Sequence, residues 1–520
     1  MAATEFVAFM FAHTLWCGPA LGRAHGPHRE IAPRKGPTMR DDRPISLQPE
    51  RTPPGQAGNH GPIPGRLISR RTLSRRTLSR RTPSRPTIGL LSIVALTIGA
   101  LGTTVTAGLS PAWAGENAMV GENALAAEDA LAAEDEPFVD PSASVAGYGV
   151  QLSAAVYIGP FAELSATRKA PITIGPESNS QDNTRIIASV DRSRSERDEI
   201  ARLGLTGADG VVTGERVILA HGSTVRGPAR LGVGEATEKD SGVFISFGAE
   251  VDGAIVERDS GLSALSRVGP GVRLRAGLMV LPGKNVTTQQ EADDPGLGKV
   301  RPVVEADRAF NAAVVDVNVG LAREYNRLQQ EDPTAVYGIN LDPGGNHFDQ
   351  SRDAPSVESA LCAGPEVRQP EFRNRIIGDV CFENTLAQLD RRMGQRISLR
   401  ADEGGPFAVG TISKMRSGVI SHALEGSDIS IGNRVRYGEG VIVHGGGRPA
   451  VDPTTGQAAP TLIGNDVVLG DGAVVFRSLV RNGSAIGERS AVIGSELAIG
   501  QRIPPRTIYA NDEVFGAVEW

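Results

Sequence analysis

The feature that most constrains this chain is a period of six. Leu219, Val225 and Leu231 fall six residues apart, as do Val268, Leu274 and Val280. The spacing returns at Ile431, Tyr437 and Val443, and again at Ile463, Leu469 and Val475. Gly, Asp or Ala often follows the aliphatic residue. Such hexads are the signature of a left-handed parallel β-helix, in which each makes one short strand and one corner. The aliphatic side chain points into a narrow prism, where only the coils above and below can bury it, so stacking is obligatory. Small residues serve the corners, several of which need positive φ. A sandwich of alternating strands fits less well, because period two is poorly kept and Gly recurs too regularly. The 63 glycines and 4% aromatic content suit tight turns around a thin aliphatic core and argue against a large aromatic-lined pocket.

The hexads occupy two stretches, about 138–285 and 375–508, and 520 residues exceed what one core needs. The expected fold is all-β, two tandem β-helix domains over 137–330 and 371–520. A short helix should follow the first, where 314–330 set Leu321, Tyr325 and Leu328 on one face. Residues 331–370 keep neither period and are rich in Pro, Gly and Asp, a linker composition. A second, acidic linker is expected over 115–136, where GENA and ALAAED repeat without an apolar face. The net charge of −6 gives no reason to expect nucleic acid as a partner.

Residues 1–114 read as an N-terminal extension carrying an export signal. The segment 69–85 is SRRTLSRRTLSRRTPSR, an uncharged stretch runs from Thr87 to Leu109, and Ala112-Trp113-Ala114 follows. That is a basic region, an apolar region and a small-x-small cleavage site in order. The expectation is a secreted chain cut after Ala114, with no stable membrane insertion afterwards. The paired arginines point to the twin-arginine route, although no Phe follows them. Left uncut, the apolar stretch is long enough to anchor the chain in a membrane. Cys17 would leave with the leader. Cys362 and Cys381 remain, an even pair in a compartment that permits disulfides.

Several segments resemble the γ-class carbonic anhydrases. VDPSASVAGYG (139–149), SNSQDN (178–183), RVILAHGSTVRGPARLG (216–232) and AAVVDVNVGLAREY (312–325) match that family in order. The second half matches it again through IIGDV (376–380), SLRADEGGPFAVG (398–410), GVISHALE (418–425), VIVHGGG (441–447) and AVIGSELAIG (491–500). The resemblance implies trimer-like packing of β-helices in a homo-oligomer. It also implies a metal held by three histidines, two from one subunit and one from its neighbour. Carried over residue by residue, the first domain keeps His221 but has Ile187 and Arg226 at the other two positions. The second keeps His422 and His444 and has Glu439 in place of the third. Neither domain has a full set, and together they supply one.

The accessory positions divide similarly. The first domain keeps Gln181, Asp182 and Asn318, which the resemblance places around the metal; the second keeps Arg400, Asp402, Glu403 and Glu425. By the same resemblance Arg400 and Asp402 pair subunits, and the two Glu handle protons. Ser165 and Thr167 stand in the first domain where Arg and Asp would be, and Arg416 and Ser417 in the second where Gln and Asp would be.

The implied chemistry is hydration of CO2 to bicarbonate by zinc, or by another divalent metal such as iron or cobalt. Three neutral imidazoles leave zinc its charge and one open position. A carboxylate in reach can carry the proton away, and Gln181 and Asn318 can orient the reactants. Two opposed interfaces are conceivable, one joining His221 to His422 and His444, the other joining Glu439 to Arg226. In a rival arrangement His422, His444 and Glu439 form a set of their own, also acceptable to zinc. A non-catalytic assembly protein on the same scaffold stays open, as does, more remotely, a hexapeptide acyltransferase, because function lives in the site rather than the fold.

Overall fold

The computed structural model describes residues 135–235, 242–331, 373–377, 380–402, 407–423, 429–445 and 461–520. The leader, its cleavage site, most of the acidic linker, the segment after the first domain, and both Glu403 and Glu425 lie outside the described residues.

Two β-helical coils make up the described chain. Apart from the first turn of the second coil and the closing strand of each coil, strands pair with their third neighbours in sequence, so a turn of chain lays one strand on each of three sheets. The first coil has sheets of eight, seven and six strands and the second has sheets of eight, six and five. Pairing is parallel throughout, except where the last strand of each coil's largest sheet turns back antiparallel. Where the coil is uninterrupted the register is close to three hexads: Gly261 pairs with Met279, and Val475 with Val492 and then Tyr509 through the next strand. All twelve residues that carried the hexad reading are buried in the two prism cores.

Insertions at the corners form short helices that the hexads do not show. Helix α1, Arg194–Arg202, begins with a reciprocal capping box between Ser193 and Glu196 and packs Ile200 against Leu205 and Ile255. Helix α2, Gln289–Asp293, is capped in the same way by Thr288 and Glu291, next to the end of the first coil. The expected helix after that coil, α3, begins earlier than residue 314. It spans Glu305–Glu331, 27 residues, or about 40 Å at 1.5 Å per residue. Its first turns carry Asp307, which accepts two hydrogen bonds from buried Arg301 and one from the Val304 amide. That carboxylate meets one amide donor that a helix start would otherwise leave orphaned. Asn318 therefore lies well inside the helix rather than at a turn into it. Helix α4, Leu386–Arg392, follows the first two strands of the second coil and starts with a capping box from Thr385 and Gln388.

The coils lie side by side and run in the same direction within one compact unit. Near their starts Asp140 meets Arg375 at 2.9 Å, both buried. One turn on, Arg396 donates to the Phe161 carbonyl and Asn183 to the Arg396 carbonyl. At the far end the Trp520 indole donates to the Leu265 carbonyl at 2.7 Å, and Lys284 pairs with Glu519. Between these polar contacts an apolar seam joins Ile218, Phe244 and Phe247 to Ile442, Phe476 and Ile493. Helix α3 returns the chain toward its start, where Tyr325 stacks on Phe138.

Cys381 is disulfide-bonded and buried on the second coil. The proposed partner, Cys362, lies outside the described residues. Denatured, unreduced protein is expected to show neither thiol of this pair to a thiol reagent. A chain-entropy estimate for so short a loop gives about 3 kcal/mol of stabilisation. Two free thiols at these positions would exclude the pairing.

Candidate metal centre

Alternation along short strands positions the histidines. In Ile442–His444, Val443 points into the prism core, so Ile442 and His444 face outward. In Ile420–His422 the same alternation turns Ile420 and His422 outward and Ser421 inward. Parallel register sets His422 directly beside His444 on the next turn of the same coil. His221 comes from the other coil, just past the strand Val217–Leu219. Gly222 follows it at φ +69°, and a Cβ there would stand 3.1 Å from the Ile442 side chain across the interface. The glycine of LAHGS thus permits the turn and the close approach of the second coil.

The three rings form a nearly equilateral group. Ring centres are 4.9 Å apart for His221 and His422, 5.1 Å for His221 and His444, and 5.1 Å for His422 and His444. One nitrogen from each lies within 4.8 Å of the others, and His221 Nε2 is 3.0 Å from His422 Nδ1. Tetrahedral zinc at ~2.0–2.1 Å from each nitrogen asks for separations of about 3.3 Å. All three side chains are buried, and His444 Nδ1 has no hydrogen-bond partner among the described residues. Burial holds His221 below its usual pKa. His444 lies well below, again chiefly through burial, with His422, His221 and the Arg477 charge acting in the same sense. Both are neutral at pH 7 and offer lone pairs. A buried orphan nitrogen in a set of converging imidazoles fits a divalent metal of the zinc class.

A buried charge network backs the centre. His221 Nδ1 is 2.7 Å from Asp182 Oδ2, somewhat out of line for an ideal hydrogen bond. This contact leaves Nε2 as the nitrogen facing the other two rings. Asp182 also accepts from Ser398 at 2.8 Å and from Arg400 at 3.1 Å, both on the second coil. Arg400 donates in turn to both oxygens of Asp402, and Tyr325 Oη donates to Asp402 Oδ2. Burial alone would raise both carboxyl groups; Arg400 foremost, with His221 for Asp182 and His422 for Asp402, holds them below the ordinary range. So Arg400 and Asp402 do join two β-helices, although both helices belong to one chain.

The remaining expected residues are placed unequally. Gln181 is buried beside Asp182 in sequence, and buried Asn318 spends its amide on the Val314 carbonyl of its own helix. Ile187 and Arg226 lie on a different sheet of the first coil, in register with each other, and Arg226 pairs with Glu250. Glu439 is not in the centre: its side chain is 60% exposed and is held by Arg416 at 2.8 Å. Neither the Glu439–Arg226 pair nor a His422–His444–Glu439 set is formed within the chain. Tyr325, Ser398, Phe247 and Phe476 were not singled out from sequence as site residues. Tyr325 had only its helical spacing to mark it, and the others had no local signal.

No family model matches the chain. A carbonic anhydrase from Methanosarcina thermophila is 34% identical over 112 residues, covering 21% of this chain and 45% of the relative. Over that stretch the chain is similar to a γ-class carbonic anhydrase. The carboxysome assembly protein CcmM of Synechococcus elongatus is 30% identical over 125 residues, covering 22% of this chain and 21% of that protein. The match thus spans less than half the length of either curated relative. Among solved structures, an Arabidopsis UDP-N-acetylglucosamine acyltransferase aligns over 73% of this chain and 74% of its own at 8% identity. Its TM-score is 0.18, too loose a superposition to bear on function. The three histidines that the γ-carbonic anhydrase resemblance assigns to one metal come here from two coils of a single polypeptide.

Proposed function

We propose that the chain is a metal-dependent hydratase of CO2, working at one centre shared by its two coils. The observation that carries this reading is the convergence of buried His221, His422 and His444 from both coils. Zinc, or iron or cobalt in its place, would supply Lewis acidity there and bring the pKa of a water molecule near neutrality. The chain's own residues do the rest. His221 and His444 present neutral nitrogens, His422 completes the set, and Asp182 fixes the ring of His221. The Arg400–Asp402–Tyr325 network locks the second coil against the first. Gln181 is assigned to orienting CO2 or bicarbonate, and Glu403 and Glu425 to carrying the proton outward, whereas Asn318, whose amide is engaged by the Val314 carbonyl, is assigned to the helix. A further β-helix from a second chain would complete the trimer-like packing of the family.

Metal analysis and CO2 hydration kinetics on protein expressed with zinc test the proposal. About one metal per chain and bicarbonate formation are expected; metal-free, inactive protein would overturn it. A second reading is a non-catalytic assembly role, favoured by the similarity to a protein named for carboxysome assembly. That reading expects the same fold with no hydration.

Export is proposed as well, on the order of basic run, apolar stretch and small-x-small site before Gly115. Intact mass of secreted protein is expected to give a mature N-terminus close to Gly115. A chain that retains 87–109 would be an anchored protein instead.

A further inference from the structure

The seam that holds the histidines also leaves a small cavity between the coils. Phe244, Phe247, Phe310 and Phe476 line it, with Ala264 and Ile493. These residues are buried and come from the first coil, helix α3 and the second coil. The low aromatic content gave no hint of such a cluster, because Phe residues remote in sequence meet only when the coils dock. About 20 Å³ of the cavity is open to the centre of a water-sized molecule. A single water needs ~10–15 Å³ on that measure, so the space suits one small molecule and excludes anything as large as an acyl chain.

Two features of the wall narrow the occupant. Apart from Ser246 and Ser263 the side chains offer only carbon, short of the roughly three hydrogen bonds that a buried water commonly makes. The Ser263 hydroxyl is buried with no hydrogen-bond partner among the described residues. Such a hydroxyl is unfavourable unless something in the cavity accepts from it. A compact apolar molecule with acceptor oxygens answers both conditions. The cavity also backs onto the metal centre. The Phe247 ring is 5.9 Å from His221 and 5.0 Å from His444, and Phe476 is 5.5 Å from His444.

We propose that this cavity binds CO2, one aromatic ring away from the three histidines, as a holding site that raises the local supply of substrate. The choice of CO2 rests on the hydratase reading. That the cavity takes a small apolar gas rests on its wall alone. One end of the linear molecule accepts from Ser263, and the Phe side chains enclose the remainder. Rotation of the Phe247 or Phe476 ring is the step that would pass it to the metal centre.

Crystals of the full mature chain pressurised with xenon, and separately with CO2, test the site without any need for activity. Both gases are expected against Phe244 and Phe310 in the wild type. Ala264→Leu should fill the cavity and exclude both, while Ser263→Ala should keep xenon and lose CO2. In solution Ala264→Leu should retain its metal and lower kcat/KM for CO2 by roughly three- to tenfold, mostly through KM. An empty or water-filled cavity under both gases would overturn the proposal, as would an unchanged kcat/KM in Ala264→Leu. Xenon and CO2 bound in a protein that hydrates no CO2 would sink the hydratase reading and leave the gas site standing.

Discussion

Replacing His221 by Ala is expected to strip the protein of most of its metal while both coils stay folded. His221 is the first coil's only contribution to the cluster of three imidazoles. Its loss leaves His422 and His444, two ligands where a catalytic zinc site uses three. Loss of a mere outer partner costs ~10–100-fold in metal affinity, so loss of the ligand itself should exceed that. CO2 hydration should fall by about a hundredfold or more with it. Glu439→Gln is the informative contrast. Glu439 is mostly exposed and engaged by Arg416, which also pairs with Asp471. That substitution should leave the metal in place and at most loosen a surface contact worth about 0–1 kcal/mol. Were Glu439 the third ligand in an assembly of separate domains, the two variants would exchange phenotypes. Metal content by mass spectrometry on the pair decides between them, and full metal in both would discard each arrangement.

Why this contrast could be framed from sequence, while the surroundings could not, follows from the physics of the fold. Hexads are local: an aliphatic residue every six positions fills the prism whatever lies outside it, so the cores of both coils were legible residue by residue. The histidines were legible through LAHGS, SHALE and VHGGG, because the retained and lost positions were complementary. What the strings lacked was the partner surface. Ile218, Ile442 and Phe476 face outward on their strands and are buried only because another coil covers them. Strands with both faces covered read as continuous apolar runs and do not reveal which neighbour covers them. Tyr325, Ser398 and the Phe cluster are site features by virtue of docking, and no local pattern marks docking.

The helices show the opposite error, of signals present but not weighed. Ser193 with Glu196, Thr288 with Glu291, and Thr385 with Gln388 all have the S/T-x-x-E/Q spacing of a capping box, and each starts a helix. Such boxes are readable from sequence. The length of α3 was legible in the same way. Its first turns are fixed by Asp307 through Arg301 and the Val304 amide, and Phe310, Val314 and Val317 continue the spacing of Leu321 back toward them, a stripe that was equally readable.

The second large effect concerns Arg400, which is expected to matter more for stability than any residue bound to the metal. It is fully buried, and its guanidinium engages Asp182 of the first coil and Asp402 of its own. Arg400→Met keeps much of the volume and removes the only positive charge that the described network gives to two buried carboxylates. Each must then take up a proton or draw in water. Breaking a buried pair from one side costs about 3–5 kcal/mol, and urea unfolding should lose stability on that scale. Arg400→Lys should recover part of it. An ammonium restores the charge but lacks the planar fork that reaches both carboxylates at once. The damage should also reach the metal. Asp182 orients His221 while accepting from Arg400 and Ser398. An Asp182 freed from the second coil no longer holds that ring in one position, and metal affinity is expected to drop by ~10–100-fold. A variant with wild-type unfolding and wild-type metal affinity would show that the apolar seam alone aligns the coils. A variant that is destabilised but binds metal normally would show that the network fastens the coils without tuning the centre.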